Sequence, residues 1–182
     1  TNAVKPRLYD DVAVLFCDVV GFTSYCADRP PEAVIADLQE MIERYEQIAL
    51  AHGVEKIKTI GDSYMGTAGL ITPLENPARS CVECGLEMVE EARKLASGWE
   101  VRVGIHVGPV VAGVVGRRQY LFDLWGDTVN IAARVERHGN DGAVNVSAPT
   151  WLRIADTHHG ISLGHKPVKG KGTLEIYRIS RR

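Results

Sequence analysis

No stretch of this 182-residue chain stays apolar for the ~18 residues that a membrane-spanning helix needs. Nor does the N-terminus carry the basic, apolar and small-residue succession of a secretory signal. Cysteine is sparse, at Cys17, Cys26, Cys81 and Cys84. Cys81 and Cys84 form a CxxC, but no second pair and no histidine cluster completes a zinc site. Their spacing puts both on one face of a predicted helix, so the expectation is reduced packing residues of a cytoplasmic protein. An excess of either charge is also missing. Lys and Arg number 21 against 23 Asp and Glu, a net charge of −2, which excludes a broad pull towards nucleic acid or an anionic membrane. There are no repeats and no low-complexity segments. What remains is ordinary globular usage, 45% hydrophobic and 24% charged, in a chain long enough to bury on the order of two-thirds of its unfolded surface without disulfides. The expectation is a single domain over residues 1–182, with its core at about 10–180. A strand signal follows almost at once on the first residue, which leaves room for a regulatory or membrane-tethering part in a longer protein.

Periodicity orders the elements. Val12 to Cys17 is a short, partly β-branched apolar run and predicts a buried strand, followed by a turn over Asp18 to Ser24. Pro31 suits the first position of a helix whose apolar residues, Val34, Leu38, Met41, Ile42, Tyr45 and Ile48, recur at steps of three and four. That helix should stop near His52 and Gly53. Val54 to Ile60 alternates, with Lys56 and Lys58 expected on one face, and Gly61–Asp62 turns the chain into a strand over Ser63–Leu70. Asn76 is positioned to cap a second helix beginning at Pro77. Val101 to Val107 is another strand, and the glycines from Gly108 to Gly116 suggest a turn and a returning strand. Tyr120 to Trp125 is aromatic and could be a projecting arm. Asp127 or Thr128 is a candidate cap for a third helix. Strands at Val144–Val146, Ile161–Leu163 and Leu174–Ile179, with a short helix around Trp151–Ile154, complete the chain. The order predicts an α/β (α+β) fold, a ferredoxin-like βαββαβ core with an antiparallel sheet plus a C-terminal extension.

Two acids stand out in that frame. Asp18 ends the first strand and Asp62 occupies the turn between the next two. In such a sheet the first and third strands are antiparallel neighbours, so the two carboxylates, 44 positions apart, should meet at one edge. Paired carboxylates do not both stay ionised at close range without a cation. Mg²⁺ or Mn²⁺ would relieve the repulsion through hard oxygen ligands. The following segment, Val19–Thr23, could offer backbone N–H groups to phosphate oxygens. Asp is equally at home in turns, and spacing alone leaves both readings open.

The segments FCDVVGFTS (16–24), KIKTIGDSYM (56–65), VGIHVGPVVAGVVG (103–116), YLFDLWGDTVNIAARVE (120–136) and VKGKG (168–172) resemble the class III nucleotidyl cyclase catalytic domain, in the family's order and across nearly the whole chain. Five long motifs in order are far more specific than one short glycine pattern. The resemblance implies conversion of ATP to 3′,5′-cyclic AMP and pyrophosphate. Asp18 and Asp62 would hold two divalent metal ions, Mg²⁺ or Mn²⁺, that activate the ribose 3′-hydroxyl and hold the triphosphate. Val19, Gly21, Phe22 and Thr23 would lie against the phosphates. Lys58 and Asp123 match the positions that read the base, where a lysine and an aspartate suit adenine and a glutamate and a small residue such as cysteine suit guanine. Asn130 and Arg134, four apart on one helix face, match the pair that positions the ribose and stabilises the transition state. Lys169 looks like the terminal-phosphate lysine, with Lys171 as the alternative.

The resemblance also implies sites shared between two chains, one giving the metal aspartates and the other the base-reading and transition-state residues. This chain carries both sets, so a homodimer would have two complete sites and a monomer none. Two departures are visible: Ala133 stands where the family often has serine, and Val135 where methionine is common. His106 is expected to be a strand histidine with a structural bond, and Tyr120 and Trp125 packing or dimer-arm residues. The rivals are a guanylyl cyclase, against which Lys58 and Asp123 argue, and a regulatory module that binds nucleotide without turnover. A palm-type polymerase or diguanylate cyclase shares the sheet and the paired acids, but no GG[DE]EF-like signature is present.

Overall fold

The computed structural model describes residues 6–115, 121–170 and 172–182. Tyr120 and Lys171 lie outside the described residues. The elements run β1 (Arg7–Val19), α1 (Phe22–Ala27), α2 (Pro31–His52), β2 (Glu55–Ile60), β3 (Ser63–Ala68), α3 (Pro77–Lys94), β4 (Val101–Val115), β5 (Leu121–Trp125), α4 (Asp127–His138), β6 (Val144–Ser147), α5 (Ala148–Leu152), β7 (His158–Val168) and β8 (Gly172–Arg181). The described strands form one sheet in the order β2-β3-β1-β4-β6-β8-β7, with β5 paired to β4 beside that path. Its first four members are the expected antiparallel ferredoxin-like core. The extension is mixed: β6 joins β4 in parallel, and β8 and β7 follow antiparallel.

Strand β1 is central and covered on both faces, which is why its sequence reads as a continuous apolar run. Ala13, Leu15, Cys17 and Val19 enter one core, with Met41, Tyr45 and Ile48 of α2 and Cys81, Val82 and Met88 of α3. Val12 and Val14 enter a second core on the opposite face, with Met65 of β3, Leu124 of β5 and Ala132 of α4. The helix ends follow their sequence signals. Gly53 takes a left-handed φ of 71° and its N–H closes α2 on Ala49 and Leu50, while the Asn76 side chain accepts from the Arg79 N–H at 3.1 Å to open α3. The four cysteines are free. Burial in the first core pushes the thiols of Cys17, Cys81 and Cys84 well above the ordinary range, so they act as small apolar residues.

Four local expectations are corrected. The turn after Asp18 closes into α1, because Gly21 adopts φ 70° and lets Phe22 start a helical turn. Over Gly108–Val115 the chain makes no turn, and Gly116 lies outside the described residues. Strand β4 runs straight through this stretch, because both halves have partners: Val101–Val107 lies against Ala13–Val19, Val110–Ala112 against Arg7–Tyr9, and a register shift between Tyr9 and Val12 takes up the mismatch. Lys56 and Lys58 do not share a face. A shift in the β2–β3 register at Ile57 separates them, so Lys56 bonds Glu46 on α2 whereas Lys58 bonds Asp123 on β5. Finally, neither Asp127 nor Thr128 caps α4; Gly126 precedes the helix without a side-chain cap.

Helix α4 lies directly on β4 because that strand has glycines beneath it. A Cβ at Gly104 would sit 2.1 Å from the Glu136 backbone N, and one at Gly108 would sit 2.5 Å from Thr128 Oγ1. Thr128, Ala132, Val135 and Glu136 are the buried side of the helix, which leaves Asn130 and Arg134 on its open side.

Candidate active site

Strand β1 carries Asp18 to the sheet end, and Gly61, at φ 57°, turns the chain so that Asp62 arrives beside it. Asp62 Oδ2 accepts the Val19 N–H at 3.1 Å. Burial raises the Asp62 carboxyl above its usual range, the Val19 bond pulls it down, and the charge of Asp18 adds to the rise. Asp18 Oδ1 is buried and has no hydrogen-bond partner. Two carboxylates at one edge, one with an orphaned oxygen, fit a hard divalent cation. Among the described residues no group of three or more His, Cys, Asp or Glu side chains could hold a metal. Such an ion would thus take its other ligands from water and substrate, as Mg²⁺ commonly does beside one or two carboxylates.

The phosphate segment is partly committed elsewhere. The Val19 N–H is held by Asp62, and the Val20 N–H donates to Glu100 O at 2.9 Å. That removes Val19 as an amide donor and leaves Gly21, Phe22 and Thr23 at the opening of α1, where first-turn amides have no acceptor within the helix. Trp99 anchors this turn, meeting the ring of Phe22 at 5.9 Å and that of Tyr25 at 5.0 Å, both edge-on.

Lys58 and Asp123 meet. Lys58 Nζ lies 2.7 Å from Asp123 Oδ2, and the Leu124 N–H donates to Asp123 Oδ1 at 2.8 Å. This partner explains a carboxylate inside the apolar run of β5. Asn130, Ala133, Arg134 and Lys169 line a second site, a cavity of about 320 Å³ between α4 and the end of β7. Neither Asp18 nor Asp62 lines it. A larger cavity of about 450 Å³, between α3, β6 and β8, holds none of the expected residues.

Two residues were missed in the sequence. Arg137 also lines the α4 cavity; its place three positions after Arg134 was the available signal. Glu136 is buried against the sheet, where Arg102 Nε donates to its Oε2 at 2.9 Å. Burial, with a hydrogen bond to Asp18 and the charge of Asp18, pushes its carboxyl up to about 8 against the pull of Arg102. Periodicity offered a clue, since Glu136 falls on the apolar side of α4. His106 is bonded as expected. Its Nδ1 lies 2.6 Å from Ser147 Oγ, which meets Thr150 Oγ1 at 2.7 Å. Burial lowers its pKa to about 4, opposed by Asp127.

The model of the adenylate and guanylate cyclase catalytic domain matches residues 4–181. The chain belongs to that family. An adenylate cyclase of Mycobacterium bovis is 36% identical to this cyclase domain over 179 residues, 96% of the chain but 40% of the relative. The guanylate cyclase soluble subunit beta-2 of Rattus norvegicus is 37% identical over 177 residues, 93% of the chain and 26% of the relative. The cyclase domain thus spans two fifths or less of these relatives. A crystal structure of the guanylate cyclase domain of RhGC from Catenaria anguillulae in complex with GTP superposes with a TM-score of 0.92 at 32% identity, covering 97% of this chain and 99% of that one. Adenylate and guanylate cyclases are equally similar to the domain, so overall likeness does not choose the purine.

Proposed function

We propose that this cyclase domain converts ATP to 3′,5′-cyclic AMP and pyrophosphate, and that it does so in the cytoplasm, where ATP is found and thiols stay reduced. The Lys58–Asp123 pair carries the choice of base. Lys58 Nζ donates, which suits the bare N1 of adenine, and Asp123 accepts, which suits the N6 amine. Guanine offers an N1–H and an O6 at these points, and each mismatch costs about 1–3 kcal/mol. The 2.7 Å pair is partly open to water, with side-chain exposures of 41% and 23%. An ion pair of that kind contributes about 0–1 kcal/mol, so adenine can displace it at little cost.

When bound at Asp18 and Asp62, Mg²⁺ or Mn²⁺ ions supply the positive charge that acidifies the ribose 3′-hydroxyl and steadies the leaving pyrophosphate. The remaining work falls to side chains. Asn130 orients the ribose, and Arg134, always charged and a planar multiple donor, meets the charge that grows on the α-phosphate oxygens in the in-line transition state. Lys169 and Arg137 draw the β- and γ-phosphates into the α4 cavity. Gly21, Phe22 and Thr23 border the phosphates beside the carboxylates.

The α4 cavity and the carboxylates are separate within one chain, which supports a homodimer with each site built from both protomers. Val111 and Trp125 are register partners in the β4–β5 hairpin and are exposed with Val114, apolar surface suited to a dimer contact.

The test is product formation by the purified domain with Mn²⁺ or Mg²⁺. ATP turnover should exceed GTP turnover by roughly tenfold or more, and Lys58→Glu/Asp123→Cys should reverse the order. Equal or faster cyclic GMP formation by the wild type would overturn the substrate reading. Asp18→Ala with wild-type turnover would overturn the metal reading.

A further inference from the structure

The cavity of about 450 Å³ between α3, β6 and β8 takes no part in the cyclase site. Its size falls in the range of about 300–1,000 Å³ usual for small-molecule sites. Its floor is aliphatic: Leu86 and Val89 of α3, Val144 of β6 and Ile179 of β8, all buried. Arg93, Arg181 and Glu90 stand over that floor. Arg181 reaches from β8 to Glu90 and so faces α3, whereas strand alternation sends the side chains of Arg178 and Ser180 to the other side of the sheet. Arg93 donates from Nε and Nη2 to Glu100, and Nη2 also meets Gly142 O at 3.1 Å. Gly142 lets this pair close on the cavity wall, because with φ 66° it has no Cβ, and one there would sit 2.1 Å from Glu100 Oε2 and 2.8 Å from Arg93 Nη2. Among the described residues, Arg93 Nη1 and Arg181 Nη2 have no partner. An aliphatic floor thus lies beneath two arginines that each keep an uncommitted nitrogen.

We propose that this cavity binds a monocarboxylate with an aliphatic tail, the tail on the floor and the carboxylate at the free nitrogens of Arg93 and Arg181. A guanidinium is always charged, and its planar donors match a carboxylate. Among the described residues no aromatic ring lines the cavity, so its floor suits a hydrocarbon chain better than a stacked base. Glu90 limits the ligand to one negative charge, since a phosphate ester would set a second charge against that carboxylate. Polyphosphate has a better place between α4 and β7, where Arg134, Arg137 and Lys169 outnumber Asp127. The two cavities share no lining residue, so the carboxylate and the nucleotide can be bound together.

The probe is octanoate, titrated into the domain with its Leu, Ile and Val methyl groups isotope-labelled for nuclear magnetic resonance. Saturable shifts should appear at Val89, Val144 and Ile179, and not at Ile131 and Val168 of the α4 cavity. Octanol, with the same tail and no charge, should bind at least about tenfold more weakly for want of a charge-assisted bond. Arg181→Met keeps an apolar stem at a half-exposed position, and should weaken octanoate about tenfold while leaving octanol unchanged. Glu90→Gln removes the opposing charge and should tighten octanoate about threefold. Saturating 3′-deoxy-ATP with Mg²⁺ should leave the octanoate affinity within about twofold. Equal affinity for octanoate and octanol, or unchanged octanoate binding in a folded Arg181→Met protein, would overturn the proposal. So would unchanged or weaker binding in Glu90→Gln, shifts confined to the α4 cavity, or displacement by the nucleotide.

Discussion

His106 illustrates a residue whose chemistry is set by where its strand is buried. Its pKa falls to about 4 in the folded domain, from 6.5. The folded state therefore binds fewer protons than the unfolded chain between these values. The stability tied to neutral His106 is fully present above pH 6.5 and is lost as pH falls towards 4, on the order of 3 kcal/mol. Urea denaturation from pH 7 to 4 should show this decline, and His106→Gln should flatten it; an equal slope in the variant would contradict the assignment. That His106 would be structural was legible from its place within an alternating strand. Its bond to Ser147 was not, since β6 comes to lie parallel beside β4 only through tertiary packing. Lys58 makes the same point in reverse. Its role as a base reader came from the resemblance, its pairing with Asp123 did not, and a plain two-residue alternation would have aimed it with Lys56 at α2. The shift at Ile57 is a backbone event that no residue type announces.

Among the elements, the α4–β4 contact is the most demanding. It carries Asn130 and Arg134, and its spacing is set by Gly104 and Gly108. Gly104→Ala would drive a Cβ into the Glu136 backbone, where no flexible side chain can give way. The cost should be about 1–3 kcal/mol or more. Helix displacement near 1 Å should also cut cyclase turnover by about a hundredfold, so thermal melting and turnover should fall together. Wild-type activity in a folded Gly104→Ala protein would refute this view of the contact. The helices α2 and α3 were readable from their three-and-four periodicity and their Pro and Asn starts, and the strand order from the βαββαβ rhythm. The glycines of β4 misled because glycine marks turns and close approaches alike; only a partner helix distinguishes them. Glu136 was hidden for a related reason. An acid on the apolar side of a helix gains meaning once Arg102 and Asp18 are found beneath it.

For the whole molecule, the arrangement divides the expected residues into two groups that do not share a cavity: Asp18 and Asp62 at one sheet end, and Asn130, Arg134 and Lys169 between α4 and β7. On the proposed reading neither group would do the chemistry without the other, and two protomers related by a twofold would supply both twice. Any upstream module that rotated the protomers would then change site geometry without touching a catalytic side chain. The central claim is that each site draws on both chains, and it is tested by mixing two variants that are inactive alone, Asp18→Ala and Arg134→Ala. In a heterodimer one site loses both residues while the other keeps both. Equal mixing with free exchange should restore turnover to about a quarter of wild type, half the dimers having one intact site of two. Turnover that stays at the level of the separate variants, with heterodimers present by mass, would contradict the account.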